Sequence, residues 1–144
     1  MTILIDSNIM IDFLKGNKSA INKIDSIISN RIPIFISTIS IYEIYLGIVA
    51  NMYLKEGRPS KVPELLNQYE KFVLKCGILN FTREAAEKSA EIYAQSQGKG
   101  LIIKEKDCQI AGIALASGIT EVLTRDKSDF TKIFDLTGLK FNSY

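Results

Sequence analysis

Four acidic residues stand in apolar company where carboxylates are unusual. Asp6 follows the aliphatic run Ile3–Ile5 in ILIDSNIMIDFL, and Glu43 lies inside STISIYEIYLGI. Asp107 heads the apolar segment DCQIAGIALASG, and Asp126 follows Val122–Thr124 in VLTRDKSDF. Taken singly, Asp6 and Asp107 read as helix N-caps and Asp126 reads as a turn residue. Glu43 resists such a reading, because glutamate is almost never fully buried unless it is paired or bound to a metal. A partly exposed Glu43, bonded to a nearby lysine or hydroxyl, is the ordinary alternative. Brought together, the four acids would raise one another's pKa values. A divalent cation removes that cost, and hard ions such as Mg²⁺ and Mn²⁺ prefer carboxylate and water oxygens.

The rest of the composition narrows the chemistry. The 144-residue chain has no histidine, which excludes Ser-His-Asp and Cys-His catalysis and histidine-ligated zinc. Its two cysteines, Cys76 and Cys108, stand outside any metal-binding spacing and suit a reducing interior. Net charge is +2, too mild to argue for nucleic acid by itself. No charged leader precedes Ile3 and no apolar run is long enough to span a bilayer, so a soluble cytoplasmic protein without membrane contact is expected.

The elements that must position these acids alternate. Aliphatic runs at Ile3–Ile5, Ile34–Ile36, Ile78–Phe81 and Glu121–Thr124 read as strands, with Leu139–Phe141 as a fifth at an edge. Between them, helical spacing predicts helices over Ile9–Leu14, Lys18–Ser29, Ser40–Leu54, Glu64–Lys75, Thr82–Gln97 and Asp107–Ser117, then a short one near Phe130–Phe134. Lys55–Pro63, with Gly57 and two prolines, reads as a loop. Strands alternating with helices predict an α/β fold of one domain, residues 1–144, with a central, mainly parallel sheet of four to five strands flanked by helices. Ligands of such sheets bind beyond the carboxyl ends of the strands. Asp6, Asp126 and, one helical turn on, Glu43 all fall there.

These motifs carry a resemblance. ILIDSNIMIDFL, STISIYEIYLG, EKDCQIAGIALASG and VLTRDKSDF, in this order and across nearly the whole chain, resemble those of PIN-domain ribonucleases, and within them the toxins of VapBC toxin–antitoxin pairs. The resemblance implies a PIN-like three-layer sandwich and Mg²⁺- or Mn²⁺-dependent hydrolysis of RNA phosphodiesters. It implies metal-binding, catalytic roles for Asp6, Glu43, Asp107 and Asp126, with Asp6 as central ligand and Asp126 orienting a metal water. Ser7 and Thr124 match positions whose hydroxyls support that site. Asp129 can share or replace the role of Asp126, and Glu105 can add a ligand beside Asp107. Substrate phosphates would meet Arg125 and Lys127, which flank Asp126, with Lys15, Arg58, Lys61, Lys104 and Lys106 as further cations. The apolar surplus on the helices carrying Glu43 and Glu64 suits a homodimer and an antitoxin partner. Alternatives are a non-toxin PIN nuclease of RNA processing, an inactive RNA- or protein-binding PIN module, and an aspartyl-phosphate enzyme built on Asp6. The last usually shows a DxD motif, which the sequence Asp6-Ser7-Asn8 lacks.

Overall fold

A computed structural model describes residues 1–144. Five short strands, β1 (Ile3–Ile5), β2 (Ile34–Ser37), β3 (Gly77–Leu79), β4 (Glu121–Leu123) and β5 (Lys140–Asn142), form one sheet in the order β3-β2-β1-β4-β5. Every pairing is parallel. Seven helices connect and cover them: α1 (Ser7–Leu14), α2 (Lys18–Ser29), α3 (Thr38–Val49), α4 (Val62–Val73), α5 (Arg83–Gly98), α6 (Glu105–Ala116) and α7 (Lys127–Thr137).

The three layers follow from strand alternation. Ile3, Ile5, Ile34, Ile36 and Leu123 point to one face, where Ile9, Ile24, Ile44 and Phe72 from α1–α4 close the core. Leu4 and Val122 point to the other, against Ile92, Ile110, Ile113, Phe130 and Ile133 from α5–α7. Successive strand side chains must face opposite ways, so strands apolar at every position need helices on both sides. Each such side chain contributes about 1.5–3 kcal/mol on full burial.

The helix starts bear on the site. Ser37 Oγ accepts from Ser40 N at 3.1 Å, so α3 begins directly after β2 at Thr38, two residues before the predicted start. That helix stops at Val49 rather than Leu54, passing into a 3₁₀ turn at Ala50–Met52. The predicted loop Lys55–Pro63 contains a second 3₁₀ turn, Pro59–Lys61, and α4 starts at Val62 with Pro63 in its first turn. α7 runs to Thr137, well past the predicted Phe134, and ends at Gly138 with φ +76°. α6 ends as predicted at Gly118, where Ile119 N donates to Ala114 O (2.9 Å) in a Schellman arrangement. No helix is long and apolar enough to cross a membrane.

Candidate metal centre

The sheet order reverses between β1 and its neighbours β2 and β4, and all three strands deliver polar residues at their carboxyl ends. This is the crevice position where open parallel sheets bind ligands. Asp6, fully buried, is the N-cap of α1. Its Oδ1 accepts from Ser7 N at 2.7 Å and its Oδ2 from Thr124 Oγ1 at 3.0 Å. The same Thr124 Oγ1 accepts from Asp126 N at 3.0 Å, so one hydroxyl orients two of the acids. Asp126 caps α7, accepting from Asp129 N at 3.3 Å.

Asp107 is not an N-cap. Lys104 holds that position, and the helix has already made its first turn around Asp107, which is 1% exposed. Its carboxyl meets those of Asp126 and Asp129, and one oxygen from each of the three lies within 4.8 Å of the others. Burial pushes Asp107 up to about 9, reinforced by the side chains of Asp126 and Asp129 and by the charge of Asp6. For Asp126, burial acts upward, but hydrogen bonds with Asp107 and with Lys104 Nζ (2.9 Å) carry it below the usual carboxylate range. Asp129 is anchored from the other side, its Oδ2 accepting from Lys104 N at 2.9 Å.

Glu43 reaches the same crevice from α3. Between it and Asp6 sits the Lys106 ammonium, 3.4 Å from Glu43 Oε2, 3.7 Å from Asp6 Oδ1 and 3.3 Å from Ser7 Oγ. Burial acts to lower Lys106, and the charges of Asp6, Glu43 and Asp107 overcome it and raise the group above the ordinary lysine value.

Two carboxylate oxygens, Glu43 Oε1 and Asp107 Oδ2, are buried without any hydrogen-bond partner. An acceptor buried without a donor costs about 1–3 kcal/mol, more when charged. The orphaned oxygens, the all-oxygen donor set and the lack of histidine fit a hard divalent cation, which one oxygen each of Asp107, Asp126 and Asp129 is close enough to hold together.

The remaining predicted residues separate. Ser7 and Thr124 are buried in the centre. Glu105 is exposed and lines a depression with Phe81, Ala86 and Tyr93, and it is not among the three clustered carboxylates. Lys127 is exposed at the start of α7. Arg125 Nη1 donates to Asp12 Oδ2 at 2.7 Å and its backbone N to Asn8 Oδ1 at 3.2 Å. Lys15 and Lys61 line a groove between α1, α3 and α4 with Ile11, Leu14, Ile44 and Leu65. On α3 and just beyond it, Tyr42, Leu46, Tyr53 and Leu54 are exposed, whereas α4 buries Tyr69 and Phe72.

Sequence reasoning missed Asp12, which holds the loop after β4 onto α1. The available signal was its spacing, four residues after Asn8 and so on the same face of one helix.

Residues 3–134 match the PIN domain family. The chain is 30% identical over 129 residues to plasmid stability protein StbB of Pseudomonas syringae pv. tomato, a match covering 89% of this chain and 90% of that protein. Its fold is similar to that of VapBC2 from Rickettsia felis bound to a DNA fragment from its promoter, with TM-score 0.80, 22% identity, and coverage of 100% of this chain and 99% of that one. FitAcB from Neisseria gonorrhoeae is similar at TM-score 0.78 and 26% identity, covering 97% of this chain and 96% of that one. With the family match running from β1 into α7, the chain belongs to the PIN domain family.

Proposed function

We propose that this chain is a divalent-cation-dependent endoribonuclease, the toxin of a toxin–antitoxin pair, working in the cytoplasm as one domain. The observation that carries the reading is the meeting of Asp6, Glu43, Asp107, Asp126 and Asp129 at the sheet switch point of a PIN-family chain, with a buried Asp107 oxygen that no protein donor satisfies. Asp107, Asp126 and Asp129 hold the cation, Mg²⁺ or Mn²⁺. Asp6 and Glu43 border it and complete the negative field. A cation bound there would polarise a phosphodiester and lower the pKa of an attacking water.

The chain's own residues do the positioning. Thr124 and Ser7 fix the Asp6 carboxylate, and Thr124 also fixes the backbone that carries Asp126. Fixing the orientation of ligands in this way typically accounts for about 10–100-fold in metal affinity or activity. Arg125 and Lys127, exposed beside Asp126, contact the RNA backbone, which aligns the strand without reading its bases. The similarity to VapBC2 and FitAcB supports an antitoxin as partner. The apolar surface around Tyr42, Leu46, Tyr53 and Leu54 supports a homodimer.

The test is cleavage of a mixed-sequence RNA by the purified chain with Mg²⁺ or Mn²⁺, compared with Asp107→Asn and with chelator. Cleavage is expected only from the wild type with metal. Full activity in Asp107→Asn, or with chelator, would overturn the reading.

A further inference from the structure

The five carboxylates divide into two groups that differ in how a lysine meets them. On one side, Asp6 is fully buried yet well supplied, with Ser7 N and Thr124 Oγ1 on its two oxygens. Lys106 Nζ stands between Asp6 Oδ1 and Glu43 Oε2, at 3.7 and 3.4 Å, and touches Ser7 Oγ. On the other side, Asp107 lies against Asp126 and Asp129, and its Oδ2 is buried with no donor at all. Lys106, two-thirds buried, stands between both acids of its side, whereas on the other side the largely exposed Lys104 reaches Asp126 at 2.9 Å and leaves Asp107 Oδ2 without a donor.

We infer that the Lys106 ammonium is the resident second cation of this centre, so that each chain takes up one divalent ion, at Asp107, Asp126 and Asp129. Nucleases that use two metals set them about 3.5–4 Å apart so that one lies on each side of the reacting phosphate. Here one of those positions is filled by a tethered charge. Lys106 is the neighbour of Asp107 on the first turn of α6, so folding of that helix delivers cation and acid together. A tethered group binds without the translational entropy that a free ion loses, and that advantage corresponds to an effective concentration in the millimolar range or above. A competing Mg²⁺ must also shed waters that it gives up reluctantly. Lys106 is therefore a positioning residue. It holds Asp6 and Glu43 together and supplies charge without exchange.

This inference rests on the metal-dependent reading above. Calorimetric titration of the full chain with Mn²⁺ separates the two. Wild type is expected to bind one Mn²⁺ per chain. Lys106→Met, which keeps length and removes the charge, is expected to bind two, the second using Glu43, whose Oε1 is already free of donors. Adding Glu43→Gln to Lys106→Met should return the count to one, and Lys106→Arg should keep it at one. Circular dichroism of each variant confirms folding before titration. Two ions on the wild type, or a single ion on a folded Lys106→Met chain, would overturn the inference while leaving the metal-dependent reading intact. No Mn²⁺ on the wild type would overturn both.

Discussion

Thr124 Oγ1 donates to Asp6 Oδ2 at 3.0 Å, joining the carboxyl ends of β4 and β1 across 118 residues of chain. Both groups are fully buried. Thr124→Val keeps the shape and removes the hydroxyl, leaving one Asp6 oxygen and the Asp126 backbone N–H without that partner. A loss of about 1–3 kcal/mol in unfolding free energy is expected from the unsatisfied buried groups. Mn²⁺ affinity should fall about 10-fold or more, while Thr124→Ser should recover most of both. Urea denaturation and metal titration measure these two effects, and unchanged metal affinity in a folded Thr124→Val chain would remove Thr124 from the centre.

Without metal, pH should act through Asp107. Its folded-state pKa stands at about 9 against an ordinary 3.8. Between those values the folded chain holds a proton that the unfolded chain has released. Stability must therefore fall as pH rises across this window. Melting temperature in chelator is expected to decline steadily from pH 5 to pH 9, and Asp107→Asn to flatten the decline. Metal binding releases the same proton, so apparent Mn²⁺ affinity should climb with pH over the same range. A melting temperature independent of pH in the wild type would contradict the burial of a protonated Asp107.

The strands and the acids that follow them were readable because they obey local rules. An aliphatic triplet ended by Asp6, or by Thr124 and then Asp126, marks a buried strand reaching a polar edge. What stayed hidden depends on direction in space. Asp107 as an N-cap was a fair local reading. The helix begins two residues earlier, at Glu105, because burial of Ile103 and the Lys104 N–Asp129 bond fix where the chain turns. Lys104 and Lys106 are alike in sequence, but two residues along a helix is more than half a turn. One therefore meets Asp126 and the other Asp6 and Glu43.

Close packing of α5 on α6 holds Asp107 in place, and Gly112 makes it possible. A Cβ at Gly112 would lie 2.5 Å from Ala85 O and 2.9 Å from Ser89 N and would overlap Ser89 Oγ. Two of those neighbours are backbone and cannot rotate away. Gly112→Ala should gain about 1 kcal/mol in helix propensity and lose about 1–3 kcal/mol or more to overpacking. The net expectation is a lower melting temperature together with weaker metal binding, since α6 must shift with Asp107 on it. A melting temperature at or above wild type would show that the two helices separate freely.

Asp12 joins Tyr144 to Arg125, and the two bonds should differ in strength. Asp12 is buried on α1 and accepts from both Tyr144 Oη and Arg125 Nη1. Arg125 has a side chain 60% exposed. Its pair with Asp12 is screened by water, and a double-mutant cycle should give a coupling of about 0.2–1 kcal/mol. Tyr144 is half-buried, and its hydroxyl bonds a charged group, so the Asp12–Tyr144 coupling should reach about 1.5–3 kcal/mol. Burial, with the Asp12 bond and charge added, raises the Tyr144 pKa above the ordinary 10.0. Above that pH the unfolded chain loses a phenol proton that the folded chain keeps, so stability falls with rising pH. Tyr144→Phe should therefore be less stable than wild type at neutral pH and lose less on moving to pH 11. Equal alkaline loss in both proteins would mean that the Tyr144 phenol is not held by Asp12.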